Sequence, residues 1–193
     1  MILYEDSRAG AVKVYGLHAL VKQCVCERLQ RDPRTLADED FKANPRNGAS
    51  NVLKTCERDL PKLADSWDCV FAVYDADKAH ELVRLPREAC IRDVLRKLTR
   101  EPAARLRIAL LDSNLEAVLT TLQQIDPGLG SKEDWDRAIL RKKPYERDLI
   151  LNRAAKPNRA DLRRDLCGAM KSFGRLVERL EELFRGGAAS PPA

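Results

Sequence analysis

The stretch Asp68 to Glu81, DCVFAVYDADKAHE, constrains this chain more than any other. Val70, Phe71, Ala72, Val73 and Tyr74 form an unbroken apolar run, which reads as a strand covered on both faces, as in a parallel sheet. The run exits into Asp75 and Asp77. Ligands of open parallel sheets bind outside the carboxyl ends of the strands, so these two carboxylates stand where chemistry is ordinarily done.

Strand and helix signals alternate around that run. Met1 to Tyr4 (MILY) predicts a first strand that ends at Glu5 and Asp6. Val14, Leu17, Leu20, Val21, Cys24, Val25 and Leu29 recur at three- and four-residue spacing, the pattern of an amphipathic helix packed on the sheet. Polar sequence broken by Pro33, Pro45 and Gly48 predicts a long loop, with a short edge strand around Thr35 to Phe41 and its most turn-like part at NPRNGASN, Asn44 to Asn51. Ser50 is a candidate cap for a helix carrying Val52, Leu53, Cys56 and Leu60, which Pro61 should end or kink. Leu82 to Thr99 shows helical spacing again. Leu106 to Leu111 (LRIALL) is a further strand, after which Asp112, Ser113 and Asn114 cap a helix over Leu115 to Gln124. Connections too long for hairpins make residues 1–126 an α/β domain with a mainly parallel sheet flanked by helices.

Past Pro127 the strand signals stop, and residues 127–185 read as an α-helical C-terminal extension. Asn158 is a candidate cap for a last helix whose stripe of Leu162, Leu166, Met170, Phe173, Leu176, Val177, Leu180 and Phe184 is either core or a face for a partner or homodimer. Residues 186–193 have the composition of a disordered tail. No apolar run approaches the roughly 18 to 20 residues that span a bilayer, and no signal-peptide pattern opens the chain, so a soluble cytoplasmic protein without a membrane partner is expected. Six cysteines without CxxC spacing predict reduced, buried thiols, and two histidines are too few for a spaced zinc site.

The net charge of +5 is mild, but its distribution is not: from Arg137 to Arg164, ten Lys or Arg face only Glu146, Asp148 and Asp161. Arg141, Lys142, Lys143, Arg153 and Lys156 in this region are candidate contacts to a nucleic-acid backbone, against the plainer reading of a solvated helical surface. At the other pole, three strands end in acidic residues, Glu5, Asp75 with Asp77, and Asp112, which a parallel sheet gathers along one edge. Asp112, Glu116 and Lys78 are candidates for supporting that edge. Oxygen ligands from separate strands suit Mg²⁺ or Mn²⁺, which would activate water and neutralise charge on a phosphodiester.

A glutamate ending the first strand in ILYEDS and an Asp-x-Asp ending a later hydrophobic strand in VFAVYDADK resemble the Toprim domain of topoisomerases, bacterial primases, ribosomal-RNA maturation nucleases and overcoming-lysogenization-defect nucleases. The resemblance implies a Toprim-like fold, Glu5 as a general acid or base, and Asp75 and Asp77 as ligands of a divalent metal. A closer likeness is to small stand-alone Toprim-like proteins of bacterial defence loci, often encoded beside an ATPase, on the segments NPRNGASN and Asn114, Glu116 and Ala117 of SNLEAVL. It implies a nuclease acting on DNA or RNA in antiviral defence, with an ATPase as partner. Asp6 stands where many Toprim domains have glycine, and Lys78, Ala79 and His80 follow the Asp-x-Asp where topoisomerase-like members soon have one, so strand-transfer topoisomerase activity is not expected. The alternatives are a catalytically silent module that docks on an ATPase or dimerises, and a phosphotransferase or small-molecule phosphatase on the same edge.

Overall fold

The structure, a computed structural model, describes residues 1–4, 17–36, 41–46, 48–86, 91–98, 106–112, 115–129 and 150–186. In chain order its principal elements are β1 (Ile2–Tyr4), α1 (Leu17–Arg28), β2 (Ala43–Pro45), α2 (Ala49–Ser66), β3 (Val70–Asp75), α3 (Ala76–Leu82), α4 (Ile91–Leu98), β4 (Leu106–Leu111), α5 (Leu115–Ile125), α6 (Ala160–Ala169) and α7 (Lys171–Gly186). They divide between two compact units. The β-strands with α2, α3 and α4 form one, and α1, α5, α6 and α7 form the other. The chain is thus of the α/β class, with helices at its C-terminal end.

The α/β unit is built on a four-stranded sheet in the order β2-β1-β3-β4, with every neighbouring pair parallel. Ala72 lies between Leu3 and Ile108, so β3 is flanked on both sides. Side chains alternate between the faces of a strand. On one face, Leu3, Val70, Ala72, Tyr74, Leu106 and Ile108 pack with Val52 and Cys56 of α2, Ala79 of α3 and Val94 of α4. The alternate residues Phe71, Val73, Ala109 and Leu111 are buried as well. A strand that must be apolar on both faces cannot show the polar alternation of a half-exposed one, and this is why β3 reads as a continuous run.

Three local details differ from the expectations. The edge strand is β2 at Ala43–Pro45, while Pro33–Thr35 forms a 3₁₀ turn, started by the Asp32 carboxylate accepting from the Arg34 N–H at 2.9 Å. Gly48, not Ser50, precedes α2, at a φ of 110° that disfavours any side chain. α2 then runs through Pro61 to Ser66. The Pro61 ring is exposed and removes a single backbone donor, while Leu53, Leu60 and Leu63 anchor the helix to the core on both sides of it. Finally, within the helical spacing over residues 82–99, α4 covers Ile91–Leu98, whereas α3 ends at Leu82 in a turn with Arg84 at φ 55°.

The helical unit includes two segments, α1 and α5, that the sequence placed with the sheet. α1 packs against α6 and α7, and α5 against α6. The apolar stripe is core: Leu166, Phe173, Leu176 and Val177 are all fully buried. It belongs to two helices rather than one, because the chain leaves helical geometry at Met170 (φ −107°, ψ 89°). The resulting close approach admits only glycine at 174, where a Cβ would lie 2.6 Å from the Cys167 carbonyl oxygen. At the start of α6 a 3₁₀ turn over Pro157–Arg159 puts Arg159, not Asn158, at the cap position. Among the described residues, no helix is long and apolar enough to cross a membrane.

Candidate metal centre

β3 delivers its last residue, Asp75, to the carboxyl edge of the sheet, and α3 begins at the next residue. Asp75 keeps extended backbone angles (φ −70°, ψ 125°) and makes no side-chain hydrogen bond capping α3. Asp77 lies in the first turn of α3, where the helix dipole favours an anion. Both aspartates are half-buried. The stretch between them is short and held at each end, by the sheet on one side and by fully buried Ala79 on the other.

Strand order decides why this corner matters. From β1 the chain goes to β2 on one side, whereas from β3 it goes to β4 on the opposite side, and β1 and β3 are neighbours. Divergence of that kind opens a crevice at the carboxyl ends of the two strands, the usual ligand position in such sheets. Tyr4 pairs with Val73 at the end of β1, and Asp75 pairs with Leu111 at the end of β4. Asp112 therefore follows β4 one residue beyond Asp75's partner, and it is exposed. Glu5, the expected acid or base, lies outside the described residues, as do Arg141, Lys142 and Lys143.

Asp75 and Asp77 offer hard carboxylate oxygens, which fit Mg²⁺ or Mn²⁺ and not a soft metal. No group of three or more metal-binding side chains gathers among the described residues, and Glu5 is the candidate not among them. Lys78 is exposed on α3. His80 is occupied structurally, its Nδ1–H donating to the Pro86 carbonyl at 3.0 Å and closing the turn that follows α3. Glu116 lies in the first turn of α5, within the helical unit.

One residue at this edge went unread in the sequence. The backbone N–H of Arg46 donates to the Tyr4 carbonyl at 2.9 Å, which sets Arg46 just past β2, beside the end of β1. Its Nε is buried without a hydrogen-bond partner among the described residues. A lone arginine in a polar turn carries no periodic signal. Only its position directly after a short strand, in NPRNGASN, could have singled it out.

Of the basic candidates, Arg153 and Lys156 are exposed on the helical unit, although Arg153 Nη1 also donates to the Leu129 carbonyl at 3.2 Å. The surrounding positive charge is partly internal. Arg163, counted as surface from the sequence, is 1% exposed and forms a bidentate ion pair with Glu27 of α1. Arg159 pairs with Asp126 at 2.7 Å and Arg164 with Asp161 at 2.5 Å. Comparison with protein-family profiles, with curated proteins and with solved structures returned no match.

Proposed function

We propose that this chain is a metal-dependent nuclease that hydrolyses phosphodiester bonds of DNA or RNA. In this reading Asp75 and Asp77 hold Mg²⁺ or Mn²⁺, and Glu5 is the general acid or base. The observation that carries it is the exit of Asp75 from a central parallel strand at the divergence of β1 and β3, with Asp77 two residues on. When bound, the metal would supply Lewis acidity to the phosphoryl oxygens and a more acidic water.

The protein groups then have separate tasks. β3 fixes Asp75 before substrate arrives, so no reorganisation is needed to present its charge. Glu5, following β1, would exchange a proton with the attacking water or the leaving oxygen. Arg46 contributes a cation to phosphate from the same edge, and the exposed Arg153 and Lys156 contribute to backbone binding without reading sequence. The likeness to stand-alone Toprim-like proteins extends the proposal to bacterial antiviral defence with an ATPase partner.

The test pairs Asp75→Asn and Asp77→Asn with two readouts, calorimetric binding of Mn²⁺ and cleavage of labelled single- and double-stranded DNA and RNA in Mg²⁺ or Mn²⁺. Each substitution is expected to abolish both while leaving the circular dichroism spectrum unchanged. Undiminished cleavage by the double variant would refute the assignment. Absence of metal binding to the wild-type chain at millimolar concentration would favour the catalytically silent module instead.

A further inference from the structure

α1 and α6 each bring a thiol to the same place: Cys24 is buried, Cys167 is half-exposed, and each lies close enough to perturb the other's ionisation. They line a cavity of about 820 Å³ that opens within the helical unit, a volume in the range of small-molecule sites. Two of the other cysteines have different surroundings. Cys26 is on the same helix two residues from Cys24, a spacing at which helical side chains do not face one another. Cys56 packs with Tyr74 in the core of the α/β unit.

The cavity lining carries an excess of positive charge. Arg28, Arg164, Lys171 and Arg175 line it; Arg28 pairs with Glu178 at 3.6 Å and Glu181 at 3.2 Å, Arg164 pairs with Asp161, and Glu27 is engaged by Arg163. Lys171 and Arg175 are exposed and form no ion pair among the described residues. The two thiols are also unequal. The neighbouring Cys24 and the Arg28 guanidinium hold the Cys167 thiol below its ordinary range, whereas the proximity of Cys167 and burial push the Cys24 thiol well above it. Cys167 is thus the nucleophile, accessible and beside a cation, and Cys24 the resolving thiol behind it.

We propose that Cys24 and Cys167 form a redox site in which an anionic low-molecular-weight disulfide, bound in the cationic cavity, is reduced as the two cysteines join in a disulfide. The Cys167 thiolate attacks one sulfur of the small disulfide, its S–S bond breaks, and one thiolate leaves to take up a proton. Cys24 then gives up its proton and attacks the Cys167 sulfur, expelling the second small thiol. Two protein thiols are oxidised to one disulfide, and one small disulfide is reduced to two thiols. The product covalently joins α1 to α6.

The experiment treats the reduced full-length chain with oxidised glutathione, an anionic probe, or with neutral hydroxyethyl disulfide, and maps the alkylated products by mass spectrometry. The expected product is a Cys24–Cys167 linked peptide. Cys24→Ser should stop the reaction at a glutathione adduct on Cys167, and Cys167→Ser should give neither adduct nor link at these positions. Lys171→Glu with Arg175→Glu, both on exposed side chains, should slow the reaction with oxidised glutathione about fivefold or more and leave that with hydroxyethyl disulfide unchanged. A chain that forms no Cys24–Cys167 link with either probe overturns the site. Equal slowing, or none, with both probes in the charge-reversed chain overturns the anionic substrate.

Discussion

Replacing Arg163 with methionine tests the helical unit at its most committed point. The guanidinium is 1% exposed and forms a bidentate pair with Glu27 on α1, whose carboxylate is 29% exposed. It also donates to the carbonyls of Ala154, Lys156 (2.7 Å) and Pro157 (3.3 Å), so one side chain ties the segment 154–157 to α1. Methionine matches the aliphatic length but supplies no donor. Glu27 returns partly to water, which limits that loss to about 1 kcal/mol, whereas the buried Ala154 carbonyl stays without a donor at a further ~1–3 kcal/mol. The total, about 2–4 kcal/mol, overlaps the range seen when one partner of a buried ion pair is removed, and it corresponds to a melting point lower by about 10 °C. Arg164→Met is the control, because Arg164 and Asp161 are 74% and 83% exposed and their pair should contribute no more than ~0.5 kcal/mol. Urea unfolding followed by circular dichroism at 222 nm reads both. A loss below about 1 kcal/mol for Arg163→Met, or equal losses for the two variants, would refute the reasoning.

Other expectations follow from single contacts. Gly174→Ala drives a methyl to 2.6 Å from the Cys167 carbonyl and should cost about 1–3 kcal/mol, whereas Gly168→Ala meets nothing within 4 Å and should be neutral or stabilising, both read from urea midpoints. Pro61→Ala restores a backbone donor on the exposed side of α2, so that midpoint should rise by the equivalent of about 1–2 kcal/mol, the helical gain being offset in part by a looser unfolded chain. Burial pushes the Cys56 thiol up to about 11, the neighbouring Tyr74 opposing it, so at pH 8.5 iodoacetamide should modify Cys167 long before Cys56. Because the folded state holds that proton more tightly than the unfolded state, Cys56 should also contribute stability that is complete below pH 9 and lost as pH rises towards about 11, a slope that Cys56→Ala should reduce.

The elements most legible in the sequence were those in which one physical demand acted on every residue. β3 had to be apolar on both faces and β4 nearly so, and both were found within a residue of their readings. β2 was misplaced because a three-residue strand, Ala43–Pro45, is too short to carry a hydropathy pattern. The split of the C-terminal stripe into α6 and α7 left no hydropathy signal, since the apolar spacing carries through Met170. The break shows only as the close contact of Gly174 with Cys167, a tertiary demand. Arg163 illustrates the same limit from the polar side. In a run of basic residues it looked like surface charge, and only the presence of Glu27 across the unit made its burial affordable.

For the candidate centre, the sequence nominated side chains but not the strand order that gives them weight. Acidic residues end many strands as turn formers, so Asp75 and Asp77 by themselves weigh little. Their weight comes from strand order, which no local pattern encodes. Had β3 been added at the far edge, beside β2, the same Asp-x-Asp would open onto a strand end with no divergent neighbour. The order β2-β1-β3-β4 instead sets β3 against β1, and the chain leaves the two in opposite directions. The parallel register that aligns Tyr4 with Val73 ends β1 beside β3 at the edge from which Asp75 emerges. Arg46, whose backbone N–H donates to the Tyr4 carbonyl, lies just past β2 on the other side of the same edge. In the proposed nuclease, Asp75 and Asp77 would serve metal-borne activation and Arg46 phosphate binding. Arg46→Ala should therefore weaken substrate binding in the cleavage assay while leaving Mn²⁺ binding intact, and a loss of metal binding instead would place Arg46 in the scaffold of the site and not on its substrate side.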